Sequence, residues 1–212
     1  MEPLTTLTGV AAPLLLDDIN TDQITPVHRE LHPDYGKLLF ARARRREDES
    51  EDPAFVLNRP QFRAAKILVA GRNFGCGSSR ESAVWAFVAV GIRCIVARSF
   101  SDIYRDNCLK NGVLTVVLPE GEAHAFEALV TAVDGKAPFT VDLMTQKIQC
   151  PGGKQLGFDV PASDRTILLE GLDDIGLSLK HEAEIAAWET RIARERPWLQ
   201  EAKDRRTQGE RS

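Results

Sequence analysis

Residues 71–81 read Gly-Arg-Asn-Phe-Gly-Cys-Gly-Ser-Ser-Arg-Glu, a segment of three glycines that ends in two hydroxyls and a guanidinium. Glycines accept positive φ and let a ligand approach the backbone. A helix starting behind them would turn its unpaired first N–H groups toward that ligand. Such a turn is suited to an anion. The planar fork of Arg80 matches a carboxylate or a phosphate, and Ser78 and Ser79 stand where a hydroxyl can reach the bound group. The plainer alternative is a tight strand-to-helix turn with serine as its cap. The additional glycines, the second serine and Arg80 favour the ligand site.

The other reactive side chains are sparse. Cys76, Cys94, Cys108 and Cys150 are widely spaced, with no Cys-x-x-Cys pair and no histidine at ligand spacing. This pattern builds neither a zinc site nor an iron–sulfur cluster on this chain, so no bound metal is expected. Cys94 and Cys108 lie in apolar contexts and read as core thiols. Cys76, inside the turn, is the one with a claim to reactivity.

The turn must be positioned by the elements around it. An apolar strand at 66–70 precedes it and a helix is expected over 79–90, with Gly91 as its stop. A strand at 94–97, a helix at 101–110 stopped by Asn111-Gly112, and a strand at 113–118 follow. This βαβαβ alternation predicts parallel pairing, and ligands of open parallel sheets gather beyond the carboxyl ends of the strands. Upstream, residues 10–16 read as a strand feeding a polar loop, 17–26, in which Asn20, Thr21 and Asp22 can bond to nearby backbone and hold a shaped turn. Residues 28–60, broken by Pro33, Pro53 and Pro60, predict nothing longer than a few helical turns. Downstream, a helix over 122–133 precedes a meander of strands at 139–143, 147–150 and 155–160. A helix over 164–169 ends at Gly171, and Ser178 is positioned to cap a last helix carrying Ile185, Trp188 and Ile192, with Trp188 a packing residue.

With 212 residues, 43% of them apolar and 27% charged, the chain has the composition of a globular domain. The expected organisation is a single domain over 1–199 and a polar, disordered tail over 200–212. A net charge of −4 with interspersed signs argues against nucleic acid as a partner. Arg42, Arg44, Arg45 and Arg46 are answered at once by Glu47, Asp48, Glu49, Glu51 and Asp52, so 41–53 reads as a solvated, mobile loop. The longest apolar run, 83–92, is interrupted by Gly91 and too short to cross a bilayer, so no membrane association is expected. No basic leader follows Met1, which predicts a cytoplasmic protein.

Three stretches together resemble the aconitase superfamily, and within it the small subunits of isopropylmalate dehydratase (isopropylmalate isomerase). They are Asp18-Ile-Asn-Thr-Asp-Gln-Ile-Thr-Pro26, Asn73-Phe-Gly-Cys-Gly-Ser-Ser-Arg-Glu81 and Gly171-Leu-Asp-Asp-Ile-Gly-Leu-Ser-Leu179. The resemblance covers nearly the whole chain. It implies an α/β fold, the swivelling β/β/α domain of the superfamily, which closes over a separate large subunit that holds a [4Fe–4S] cluster. It also implies a hydro-lyase that interconverts 2-isopropylmalate and 3-isopropylmalate in leucine biosynthesis, by removing water and adding it back at the neighbouring carbon. By that pattern Ser78 is the base for the carbon-bound proton. Arg80 clamps a carboxylate of the diacid, and Ser79, Thr21, Asp22 and Arg29 join the substrate site. Val27 or Leu31 meets the isopropyl group.

The chain departs from the family pattern in two places. Ser82 stands where members commonly have histidine, and of the usual Arg-Arg-His-Cys run before Gly171 only Arg165 remains. Two other readings therefore stay open. One is a related hydratase for another branched or unsaturated diacid, of the citraconate or dimethylmaleate type. The other is a non-catalytic anion-binding module.

Overall fold

A computed structural model describes residues 1–26, 34–77 and 79–198. The chain opens with β1 (Thr6–Gly9) and β2 (Ala11–Leu14), then a single helical turn, α1 (Thr21–Ile24). After the short helix α2 (Ala41–Arg44) and two 3-10 turns come β3 (Ile67–Ala70), α3 (Ser82–Ala89), β4 (Cys94–Ala97), α4 (Asp102–Lys110), β5 (Leu114–Val117) and α5 (Glu120–Val133). The strands β6 (Phe139–Asp142), β7 (Lys147–Gln149) and β8 (Gln155–Gly157) precede α6 (Ala162–Glu170).

Strands β3 and β4 are apolar along their whole length and buried at every residue, the pattern of parallel strands covered on both faces. They form the centre of a parallel sheet ordered β2-β3-β4-β5, in which Ala11, Ile67, Cys94 and Leu114 lie in one row. Because side chains alternate along a strand, the two faces take different partners. Leu68, Ala70, Ile95 and Ala97 pack with Ala83 and Phe87 of α3 and Tyr104 and Cys108 of α4. Ile67, Val69, Cys94 and Val96 pack with Phe126 and Val130 of α5 and with Phe139, Val141, Ile148 and Leu156 of a second sheet. That sheet is antiparallel and ordered β1-β6-β7-β8. The layers run helix, sheet, sheet, which is the β/β/α architecture.

The parallel units, the meander and the glycine stops agree with the sequence expectations. Strand β1 does not figure among them, since its four residues give too short an alternation to stand out. It is held through its register with β6, from Thr6 opposite Asp142 to Gly9 opposite Phe139. Helix α3 begins at Ser82 rather than Ser79, with Glu81 as N-cap and its carbonyl accepting from the amides of Val84 and Trp85. The charged stretch 41–53 holds a helical turn and a bridge between Arg45 and Glu51, where only a loop is expected. The charges that cancel in sequence also meet in space, as Arg45 with Glu49 and Arg46 with Asp52. Buried Asn58 ties the two arms by donating to the carbonyls of Arg44 and Asp52.

Two compact units divide the chain, Met1–Asp173 and a second beginning at Asp174. The second contains α7 (Asp174–Leu179) and α8 (Glu182–Glu195). Ser178 lies inside α7 and donates back to the carbonyl of Asp174, so it does not cap α8, whose cap position is His181. Ile185 and Trp188 of α8 are exposed rather than packed. The tail expectation for 200–212 falls outside the described residues. Among the described residues no helix is long and apolar enough to cross a membrane.

Candidate active site at the carboxyl ends of the parallel strands

The chain leaving β3 runs on beyond the sheet, clamped between the segments that leave β2 and β4. On one side the amide of Gly75 donates to Ile19 O at 2.8 Å, and those of Asp18 and Thr21 donate to Arg72 O and Cys76 O at 2.9 Å. On the other, Phe74 donates to Ser99 O and Ser101 donates to Phe74 O, both at 3.0 Å. Side chains reinforce the clamp. Asp17 accepts from the amide of Arg72 at 2.6 Å, Asp18 accepts from Asn73 Nδ2 at 2.8 Å, and Ser99 Oγ accepts from the amide of Asn73 at 2.8 Å.

These bonds correct one sequence expectation. The amides of residues 72–75 are committed to the protein and are not an open cradle for an anion. The open donors come later. The amides of Gly77, Ser79 and Arg80 donate to no protein group among the described residues. Because α3 starts at Ser82, Ser79 and Arg80 precede its first turn and owe their orientation to other contacts.

Those contacts come from the end of α4. Asn107 Nδ2 donates to Ser79 O at 3.3 Å, and Asn111 Nδ2 donates to the Glu81 carboxylate at 2.7 Å. Asn111 Oδ1 accepts from Trp85 Nε1 at 3.0 Å. Sequence reasoning saw Asn111 only as a helix stop. The available signal was the pair of asparagines four apart, which a helix places on one face.

Two glycines of the turn are required by geometry. Gly75 and Gly77 have φ of +77° and +93°. A Cβ on Gly75 would lie 2.1 Å from Tyr104 Cγ, so the buried Tyr104 ring fills the space where a side chain would go. Burial raises the Tyr104 hydroxyl and the neighbouring Cys108 thiol well above their ordinary values, and pushes Cys94 up to about 12. Tyr104 and Cys108 stay neutral beneath the site, Cys94 does so on the other face of the sheet, and all three serve as packing. The loop after β4 is anchored by Arg98, whose Nε and Nη2 donate to Glu127 of α5 at 2.7 and 2.5 Å. That hydrogen bonding raises the Arg98 guanidinium further, so it remains charged.

The loop after β2 supplies the rest. Asn20 caps α1 through a capping box, its Oδ1 accepting from the amide of Gln23 at 2.9 Å while its own amide donates to Gln23 Oε1 at 2.8 Å. Thr21 is buried, Asp22 is exposed, and both meet Arg80. Arg80 Nη2 donates to Thr21 Oγ1 at 3.3 Å and to Asp22 Oδ1. Arg80 Nε is enclosed and has no hydrogen-bond partner among the described residues. Ser79 is exposed beside it. Thus Thr21, Asp22, Ser79 and Arg80 come together. Ser78, Arg29, Val27 and Leu31 lie outside the described residues.

Among the described residues no group of three or more His, Cys, Asp or Glu is placed to hold a metal ion. The cysteines do not fit a cluster. Cys94, Cys108 and Cys150 are buried and held as thiols by desolvation, whereas iron–sulfur ligation needs accessible thiolates. Cys76 is half-buried in the turn with its Sγ 3.6 Å from Asp18 O.

Residues 1–121 match the Aconitase C-terminal domain, and residues 174–202 match the C-terminal domain of the 3-isopropylmalate dehydratase small subunit. The protein named 3-isopropylmalate dehydratase small subunit in Dinoroseobacter shibae is 47% identical over 203 residues, covering 94% of this chain and all of that one. The chain belongs to the 3-isopropylmalate dehydratase small-subunit family. A protein of the same name in Methylobacterium radiotolerans is 48% identical over 202 residues, covering 93% of this chain and all of the relative. A crystal structure of 3-isopropylmalate dehydratase from Methanocaldococcus jannaschii superposes with a TM-score of 0.61 at 26% identity, covering 87% of this chain and 99% of that one. The family resemblance carried by the three sequence stretches is therefore confirmed. Neither the related-diacid nor the binding-module alternative gains support from the relatives of this small-subunit family.

Proposed function

We propose that this chain is the small subunit of a 3-isopropylmalate dehydratase, a hydro-lyase that interconverts 2-isopropylmalate and 3-isopropylmalate in leucine biosynthesis. It works only with its large subunit, in the cytoplasm. The names and full coverage of the relatives support the reaction and the subunit role. The four free cysteines fit a reducing compartment.

The observation that carries the site assignment is Arg80. Its guanidinium meets Thr21 and Asp22 beyond the carboxyl end of β3, in a segment where the amides of Gly77, Ser79 and Arg80 have no hydrogen-bond partner among the described residues. Three uncommitted N–H donors in the same segment as a fixed cation suit the carboxylates of a diacid. In this assignment Arg80 binds a substrate carboxylate, and the amides stabilise negative charge next to it. Ser78 exchanges the carbon-bound proton, a role that rests on the Gly77-Ser-Ser-Arg80 motif. On dehydration the proton passes from carbon to the ionised Ser78 oxygen, the carbon–carbon double bond forms and the hydroxyl leaves as hydroxide, which takes a proton from solvent to become water. On rehydration water gives up a proton to solvent and adds as hydroxide at the neighbouring carbon, while Ser78 returns its proton to the other carbon. A serine hydroxyl is a weak base, so its ionised form needs the local cation and amides. When bound on the large subunit, a [4Fe–4S] cluster supplies Lewis acidity for the hydroxyl.

Reconstitution tests the proposal. Hydration of 2-isopropylmaleate, followed by loss of its ultraviolet absorbance, is expected from a mixture of this chain with a cluster-loaded isopropylmalate dehydratase large subunit and from neither alone. Turnover by the lone chain, or none in a mixture shown to contain the assembled complex, would overturn it.

A further inference from the structure

The guanidinium of Arg80 is not offered to a ligand as an open fork. Its Nη2 carries two hydrogens, and the structure gives that nitrogen two acceptors, Thr21 Oγ1 and Asp22 Oδ1. Its Nε is enclosed by protein. Among the described residues this leaves Nη1 as the nitrogen for an incoming carboxylate. A two-pronged clamp through both terminal nitrogens, the arrangement the residue type suggests, is therefore closed off.

The two acceptors are themselves fixed. Thr21 and Asp22 form the first turn of α1, locked by the Asn20 capping box, and the Thr21 amide donates to Cys76 O in the same segment that carries Arg80. Asp22 is also the wrong charge for the substrate. A carboxylate touching a diacid would repel it, whereas beside Arg80 its charge is compensated.

We propose that Asp22 is a positioning residue for Arg80 and does not contact substrate. With Thr21 it holds Nη2, so that Nη1 faces the substrate carboxylate at a fixed angle. This deepens the function proposed above and rests on Arg80 binding the diacid. It also moves Thr21 and Asp22 from the substrate-binding set to the layer behind it.

Kinetics of the reconstituted enzyme test this. Asp22→Ala frees Nη2, and KM for 3-isopropylmalate is expected to rise about tenfold with kcat within about twofold, because orientation of the binding cation is lost. Asp22→Glu keeps the charge and is expected to restore part of the loss, which a merely structural role would not produce. If Asp22 instead competed with substrate for Arg80, Asp22→Ala would open the two-pronged clamp and lower KM, and that result overturns the proposal. An unchanged KM with a lowered unfolding midpoint overturns it as well. The cycle with Arg80→Met separates the two assignments. In the Arg80→Met background, Asp22→Ala should change kcat/KM by less than about twofold, since nothing is left to position. Full additivity of the two changes rejects the role of Asp22. An Arg80→Met enzyme with normal kcat/KM rejects the role of Arg80 itself.

Discussion

The Tyr104 ring lies where a side chain on Gly75 would have to be, with its Cγ only 2.1 Å from the position of a Cβ. The turn that carries the proposed site residues is thus shaped from below by an aromatic ring of α4. Gly75→Ala is expected to destabilise the chain by about 3 kcal/mol, from the positive φ and the displacement of the buried ring together. Gly91 has a φ of +84° with nothing within 4 Å, so Gly91→Ala should cost only about 1 kcal/mol, the backbone component alone. Urea unfolding of the two variants measures the difference. Equal losses would remove Tyr104 from the explanation.

Asn111 joins Glu81 of the turn to Trp85 of α3 through one side chain. Asn111→Ala leaves the Trp85 indole N–H without its acceptor and releases Glu81, at a cost of about 1–2 kcal/mol in unfolding free energy. The expected functional result is a fall in kcat/KM of about tenfold, as Glu81, the residue next to Arg80, loses its anchor. Full activity with lowered stability would make the brace purely structural.

The buried thiols set an alkaline limit on stability. Folding moves Cys94 from its ordinary 9.0 up to about 12 and raises Cys108 and Tyr104 in the same direction, all by desolvation. Above pH 9 the unfolded chain releases protons that the folded chain retains, so the stabilisation is complete below pH 9 and is lost as the pH rises toward 12. Each such group contributes a slope of up to about 1.4 kcal/mol per pH unit in that window. Cys94→Ala should flatten the fall of the unfolding free energy between pH 9 and 11, and an unchanged slope would contradict the assignment.

Much of the site was legible in the sequence, for reasons visible in single residues. The unbroken apolar runs of β3 and β4 announce buried parallel strands, and Gly91 and Gly112 punctuate the helices that follow them. The loop 17–26 shows its turn through Asn20, whose side chain bonds within four residues. The later start of α3 was not legible, because by residue type Ser79 is the better cap, whereas the structure caps the helix at Glu81. Asn107 and Asn111 decide between them across about thirty residues of chain. The pairing of Arg80 with Asp22 lay beyond sequence reasoning for the same reason. The spacing of the two residues says nothing of a contact that depends on β2 and β3 being neighbours in the sheet.

Ser78→Ala in the enzyme reconstituted with its large subunit tests the account most directly. Removing the base should lower kcat by about a thousandfold or more, with assembly intact on size exclusion and KM little changed. A Ser78→Ala enzyme that turns over 3-isopropylmalate within tenfold of the unmodified rate would contradict the account.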